Sequence, residues 1–180
     1  MKYLIVSDTH GRVEAAMQVY RKHCQEGAID SIIHLGDLTS DAKALAVRLG
    51  SNVISVKGNM DGSFSDSQYK ILETEFGPIL LIHGHMQAVK RDTQKLIYKT
   101  QELGCKAVLY GHTHQPSMDN VNGIYLLNPG SISLPRQGNG SYAMLDTSNG
   151  DFRANILFYE AKPEVKGGHL YSIMNNSDRA

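Results

Sequence analysis

Residues 2–11 read Lys2-Tyr3-Leu4-Ile5-Val6-Ser7-Asp8-Thr9-His10-Gly11, an apolar run that stops on an acid, a histidine and a glycine. The run predicts a buried strand over 2–7. A helical pattern follows over 12–26, where Val13, Ala16, Met17, Tyr20 and Cys24 recur at steps of three and four and Gly27 suits the stop. Then the unit repeats. Residues 30–35 (DSIIHL) predict a second strand. Ser40 and Asp41 are good first residues for a helix over 41–49 closed by Gly50, and 52–56 (NVISV) predict a third strand. Strand, helix, strand, helix, strand is the pattern of an α/β fold with parallel strands.

Beyond residue 60 the character changes. Strands are expected over 69–75 and 78–82 around Gly77-Pro78, which reads as an antiparallel hairpin. A helix is expected over 89–103, with Val89, Thr93, Leu96, Ile97, Thr100 and Leu103 on one face and Gly104 beyond it. Further strands are expected at 106–110, at 117–121 and 124–127 joined by Asn122-Gly123, and at 141–146 and 152–159 around Asn149-Gly150. From Pro163 the chain is polar and weakly patterned, so one domain over 1–162 with a tail over 163–180 is expected.

Composition narrows the functional classes. The chain has 180 residues, which suits one domain, with 41% hydrophobic and 20% charged residues, which excludes global disorder. Eighteen basic and 18 acidic side chains balance, so there is no electrostatic case for nucleic acid or an anionic membrane surface as a partner. No stretch approaches the roughly 20 apolar residues of a membrane span. The short apolar start runs straight into Ser7-Asp8, unlike a signal peptide. A soluble, cytoplasmic protein is expected. Cys24 and Cys105 stand far apart, in no metal spacing, and read as buried small hydrophobes.

The chemistry sits where the apolar runs end. After the first strand come Asp8-Thr9-His10-Gly11, after the second Gly36-Asp37, and after the third Gly58-Asn59-Met60-Asp61. His83-Gly84-His85 follow 78–82, and Gly111-His112-Thr113-His114 follow 106–110. In an open α/β sheet the carboxyl ends of the strands gather at the edge where ligands bind. A lone Asp there is usually a helix cap and a lone His a loop residue. Five such ends, holding five of the eight histidines, have no structural use in common. Asp, Asn and His without thiolate suit Mn²⁺, Fe, Zn²⁺ or Ni²⁺ better than Mg²⁺ or Ca²⁺. The donors are too many for one ion. Two cations about 3.5–4 Å apart sharing a carboxylate is the arrangement used for displacement at phosphorus.

Asp8-x-His10, Gly36-Asp37, Gly58-Asn59, His83-Gly84-His85 and Gly111-His112-x-His114 together resemble the signature of the calcineurin-like metallophosphoesterase superfamily. The short chain and the Asn128-Pro129-Gly130-Ser131 loop are similar to its small YfcE-type phosphodiesterase branch. Over roughly 1–160 the resemblance implies a four-layer α/β/β/α sandwich of two mixed sheets. It implies one metal on Asp8, His10 and His114, a second on Asn59, His83 and His112, and Asp37 bridging, with a bridging hydroxide as nucleophile. Manganese comes first among the metals. In the resemblance His85 is no ligand: it faces the substrate side or stands just behind the ligands, where it can hydrogen-bond a phosphate oxygen. The implied substrate is a small phosphate ester, and self-association to a dimer or tetramer is in keeping with the family.

One position departs from the wider superfamily. Many members carry His after Gly-Asn, to protonate the leaving group; here it is Met60, which cannot. Small-branch members commonly lack that His too. Two alternatives belong beside the phosphodiesterase reading: a non-catalytic scaffold of the same fold, as in the retromer coat, and an enzyme cleaving nucleotides or phosphomonoesters. Every implied ligand position is filled, which weighs against the scaffold. Of the other residues, His34 reads as a core or near-site residue, His23 as solvent-facing and His169 as a tail residue unconnected with the site. Asn128 and Ser131 either brace the Gly111–His114 loop or simply form a turn. Arg136 is one more cation that could reach a phosphate. Loops 61–69, 86–92 and 132–140 are expected to set specificity.

Overall fold

Alternate side chains of the first strand face opposite ways, and each face is buried against something different. The computed structural model describes residues 1–62 and 68–160. In β1 (Lys2–Val6), Tyr3 and Ile5 join a core that includes Ile33, Leu35, Ile79, Leu81, Ala107, Leu109, Leu127, Ala143 and Leu145. Leu4 and Val6 join a second cluster with Val13, Ala16, Met17, Val19 and Leu45. The second cluster is the contact with helices α1 (Glu14–Glu26) and α2 (Thr39–Leu49). Strands buried on both faces read as unbroken apolar runs, which is why no polar alternation marks them.

One sheet has the order β10-β9-β1-β2-β3, where β2 is Ser31–His34, β3 Val53–Ser55, β9 Gly140–Asp146 and β10 Arg153–Tyr159. Strands β1, β2 and β3 are parallel; β9 and β10 run antiparallel. The second sheet has the order β4-β5-β6-β8-β7, comprising Tyr69–Leu72, Ile79–Ile82, Ala107–Tyr110, Ile124–Pro129 and Pro116–Val121 respectively. Its β5, β6 and β8 are parallel, with antiparallel β4 and β7 at the edges. Here too alternation divides the faces. Ile79 and Leu81 point to the inter-sheet core; Leu80 and Ile82 pack with Leu96 and Ile97 of α3 (Gln94–Glu102). Helices, sheet, sheet, helix is the expected four-layer sandwich. Each fully buried aliphatic side chain in it contributes about 1.5–3 kcal/mol.

Several boundaries differ from expectation, each for a local reason. The strand over 69–75 stops at Leu72, because Thr74 Oγ1 donates to the Gly77 carbonyl (2.7 Å) and closes the turn early. The helix over 89–103 begins only at Gln94, whose N–H is met by Asp92 Oδ1 (3.1 Å); before it, 85–87 form a short 3₁₀ turn and Ala88 is left-handed. Ser40 and Asp41 do not cap α2. It starts at Thr39, whose N–H and hydroxyl both donate to Asp61 Oδ1 (2.8 Å each), a cap lent by another loop. Cys24 is exposed rather than buried, because it faces away from the α1 stripe that packs on the sheet; Cys105 is buried, and both are free thiols. His23 is not solvent-facing: its ring sits between the Tyr142 hydroxyl (Nε2, 3.0 Å) and Glu26 (Nδ1, 3.0 Å). The tail over 163–180 with His169, and part of loop 61–69, lie outside the described residues. No helix among the described residues is long and apolar enough to cross a membrane.

Two glycines set how closely the loops approach. A Cβ on Gly58 would lie 2.0 Å from the Asp37 nitrogen, and one on Gly111 would lie 2.0 Å from Ser7 Oγ. Gly27 has nothing within 4 Å of such an atom. Gly58→Ala should therefore lower the unfolding free energy by at least the about 1–3 kcal/mol typical of overpacking. Gly27→Ala should stay within about 0.5 kcal/mol of wild type. Urea denaturation distinguishes them, and equal effects would contradict the close approach at Gly58.

Candidate metal centre

Every loop singled out in the sequence leaves the carboxyl end of a parallel strand, and the five loops converge between the two sheets. The first sheet brings Asp8, His10, Asp37 and Asn59, and the second His83, His85, His112 and His114. The convergence demands unusual backbone. Asp8, His10, Asp37, His112 and His114 all have positive φ, five of the eight non-glycine residues that do so among those described. Such conformations cost about 1–3 kcal/mol each and cluster where function requires them.

Asp8 and Asp37 are each 1% exposed and His83 is fully buried. Asp8 Oδ2 accepts from the Ser7 hydroxyl (2.6 Å) and the His112 N–H (3.0 Å). Its Oδ1 has no hydrogen-bond partner and lies 3.3 Å from His114 Nε2 and 4.0 Å from His83 Nε2. Asp37 Oδ2, also without a hydrogen bond, faces His10 Nδ1 at 2.8 Å. His10 and His114 present Nε2 to each other at 3.2 Å. Asn59 Oδ1 is 2.9 Å from His83 Nε2. Donor atoms of Asp8, His10 and His114 lie within 4.8 Å of one another, and so do those of Asp8, Asp37 and His83. His112 enters neither group; its ring stands 5.0 Å from that of His83, centroid to centroid. His85 stacks near both, 5.4 Å from His83 and 6.1 Å from His112, with a buried, unpartnered Nδ1.

The chemistry of this donor set fits a cation. Two buried carboxylate oxygens without partners are costly unless something positive meets them. The imidazoles are held to receive it. Nδ1–H of His83 donates to the Leu35 carbonyl (2.7 Å) and Nδ1–H of His114 to the Leu134 carbonyl (2.8 Å), which turns both Nε2 atoms toward the cluster. Burial pushes the Asp8 carboxyl up, but the close approach of His114, the charge of His83 and the Ser7 bond outweigh it and bring it to about 2. Burial, helped by His83 and Lys90, takes His112 down to about 4, and burial also lowers His83 and His85. Asp37 is raised, by burial first and then by the Asp8 charge, against the pull of His10. The contact with Asp8 raises His114 instead, so of the candidate ligands His83 and His112 stand neutral beside an ionised Asp8, the state in which imidazole binds a cation.

A family model described as the calcineurin-like phosphoesterase superfamily domain matches residues 1–150. The chain belongs to that superfamily. This phosphoesterase is 34% identical over 163 residues to the probable metallophosphoesterase YsnB of Bacillus subtilis, covering 89% of this chain and 91% of that protein. It is 30% identical over 171 residues to the phosphodiesterase YfcE of Escherichia coli K12, covering 81% and 88%. Among solved structures, a predicted phosphoesterase of Streptococcus pneumoniae superposes with a TM-score of 0.72 at 30% identity, over 91% of this chain and 93% of that one. Zinc-complexed Vps29 of Entamoeba histolytica superposes at 0.66 and 23% identity, over 89% and 100%, a likeness of fold. The phosphoesterase fold, the family and a cluster of Asp and His side chains able to hold metal thus agree.

Around the cluster lies a set of braces that the sequence indicated only in part. Asn128 does brace the Gly111 loop, donating to the Gly111 carbonyl (3.1 Å) and Thr113 Oγ1 (3.0 Å). Ser131 braces a different loop, donating to the Asp8 carbonyl (2.7 Å), and Ser133 Oγ donates to that of Thr9 (2.6 Å). Arg136 enters through its backbone N–H, on the His114 carbonyl (3.3 Å). Asp61 Oδ2 accepts from the Gly58 N–H (3.0 Å) while its other oxygen caps α2. His34 is fully buried, and desolvation takes it down to about 4 despite nearby Asp41 and Asp8. Serine, threonine and asparagine in loops carry no signal that separates such a brace from an ordinary turn.

The lowered imidazoles set a pH dependence in the metal-free protein. Between pH about 6.5 and 4 the unfolded chain binds protons that folded His34 and His112 refuse, so their stability contribution is complete above 6.5 and lost as pH falls toward 4. Asp8 adds a loss lower down, between 3.8 and about 2. Urea unfolding of chelator-treated protein should show stability falling from pH 7 to 4.5, with a shallower fall in His34→Gln. An unchanged slope in that variant would refute a neutral buried His34.

Proposed function

We propose that the protein is a phosphodiesterase that hydrolyses a small phosphate ester with two divalent cations. In this reading Asp8, His10 and His114 hold one cation, Asn59, His83 and His112 the other, and Asp37 bridges. The observation that carries it is the pair of buried, unpartnered oxygens, Asp8 Oδ1 and Asp37 Oδ2, facing imidazole nitrogens from both sheets. Two cations held there supply Lewis acidity toward the phosphoryl oxygens and an activated water for in-line attack. Manganese heads the expected metals, followed by iron, zinc and nickel, since the donors are oxygen and imidazole nitrogen.

The chain's own residues divide the remaining work. Asp37 carries the charge that offsets both cations. His85, partly exposed beside His83 and His112, faces the substrate and donates to a phosphate oxygen. The phosphodiesterase name of the E. coli relative supports a diester, and the exposed thioether of Met60 next to Asn59 supports it independently. No acid stands at Met60, so a poor leaving group departs unaided, which disfavours alkyl monoesters. The scaffold reading, to which the Vps29 likeness lends its fold, predicts metal without turnover on any ester.

Metal content tests the site. Elemental analysis of the manganese-reconstituted protein should approach two equivalents, and Asp37→Ala should lose more metal than Asn59→Ala because it touches both ions. One equivalent or none in excess metal, or near-normal metal and activity in Asp37→Asn, would overturn the bridged pair.

Leaving-group dependence tests the chemistry. Across aryl phosphodiesters of graded phenol pKa, the wild-type rate should fall steeply as the pKa rises. Met60→His should flatten that slope, since general acid catalysis is worth about 10²–10⁴-fold. A flat wild-type series with chemistry rate-limiting would show that another acid is in place, and His85→Asn would then identify it.

A further inference from the structure

Behind the candidate ligands lies a buried polar relay with no role in the reading above. The Thr9 hydroxyl donates to Asp41 Oδ2 (2.5 Å). Having one hydrogen, it can only accept from His34, whose Nε2 is 2.9 Å away. His34 is therefore the Nε2–H tautomer, and its Nδ1 accepts the Gly36 N–H (3.3 Å). Asp41 Oδ2 also accepts the Gly11 N–H (2.7 Å). Thr9 and His34 are 0% exposed and Asp41 6%.

The connections decide what the relay does. Thr9 lies between Asp8 and His10, Gly36 precedes Asp37, and Asp41 stands in the first turn of α2, into which the Asp37 loop runs directly. That turn is also tied to the Gly58–Asn59 loop, through Asp61 on Thr39. Three loops of one sheet thus meet at the start of one helix. A buried histidine, threonine and carboxylate are expensive there, and an apolar trio of the same volume would fill the space at no desolvation cost. Their joint effect is to fix the separation of Asp8 and His10 from Asp37.

We infer that His34, Thr9 and Asp41 are positioning residues that hold the Asp8–His10 loop and the Asp37 loop in register for divalent-metal binding. The inference rests on the proposed ligand assignment. Their hydrogen bonds go to one another and to the loop backbone at Gly11 and Gly36, so they position the donor atoms through the loops. Outer partners of this kind are typically worth 10–100-fold in metal affinity or activity.

The near-isosteric Thr9→Val breaks both bonds of the hydroxyl, and Thr9→Ser keeps them. Calorimetric titration of chelator-stripped protein with Mn²⁺ reads affinity, and thermal unfolding of the metal-free proteins reads the fold. Thr9→Val should weaken Mn²⁺ about 10–100-fold, Thr9→Ser should stay within about threefold of wild type, and at saturating Mn²⁺ the Thr9→Val defect should lie in kcat more than in KM. His34→Leu cuts the relay at its other end and should weaken Mn²⁺ similarly; it carries the test if Thr9→Val does not fold. Wild-type affinity in Thr9→Val or, in its stead, in His34→Leu, or an equal loss in Thr9→Ser, would overturn the relay while leaving the metal centre standing. Wild type that takes up no Mn²⁺, or takes it up equally in Asp8→Asn, would overturn the ligand assignment and the relay with it.

Discussion

Two carboxylates have been taken out of water, each with one oxygen that faces imidazole without a hydrogen bond, and that is the constraint around which this molecule is organised. Removing an ion from water costs several kcal/mol even after relaxation. His114, closest to Asp8, is raised by that contact, but burial lowers His83 and His112 and so favours their neutral forms. The cluster is therefore short of positive charge as the chain alone builds it. The imidazole nitrogens around the two oxygens are donors of a kind that transition-series cations accept.

Meeting the constraint takes backbone as well as side chains. Five candidate ligands have positive φ, and two loops approach so closely that Gly58 and Gly111 leave no room for a methyl group. The strain is held in place by bonds that reach across loops: Ser131 and Ser133 on the carbonyls of Asp8 and Thr9, Asn128 on Gly111, and Asp61 between Gly58 and α2. Each gives a side-chain partner to a backbone group in a loop that leaves a strand.

The two-sheet sandwich and the eight chemical residues were legible because each rests on a local pattern. Apolar runs mark strands, and Asp, Asn or His beside glycine marks where they end. The braces were legible only in part, at Asn128, because they depend on which loops meet. Asp41 reads as a helix cap by its position, yet its side chain turns back to Thr9 and Gly11, and Asp61 from another loop does the capping. The late start of α3 has the same kind of cause: Asp92 supplies a start signal that the longer apolar periodicity from Val89 obscures. His34 sits in an apolar run and reads as core, as it is, but its ring bonds join Thr9 of another loop to Gly36 of the loop that follows the run.

Neither sheet holds a complete set of donors. Asp8, His10, Asp37 and Asn59 come from the first, and His83, His112 and His114 from the second; His10 and His114, whose nitrogens are 3.2 Å apart, are separated by 104 residues along the chain. A loop that long must close before those two side chains can share anything, and such non-local closure comes late in folding. On the proposed assignment the centre is completed last: a nascent chain that has finished only its first three strands presents half of the candidate donors, and the rest join once β6 has docked.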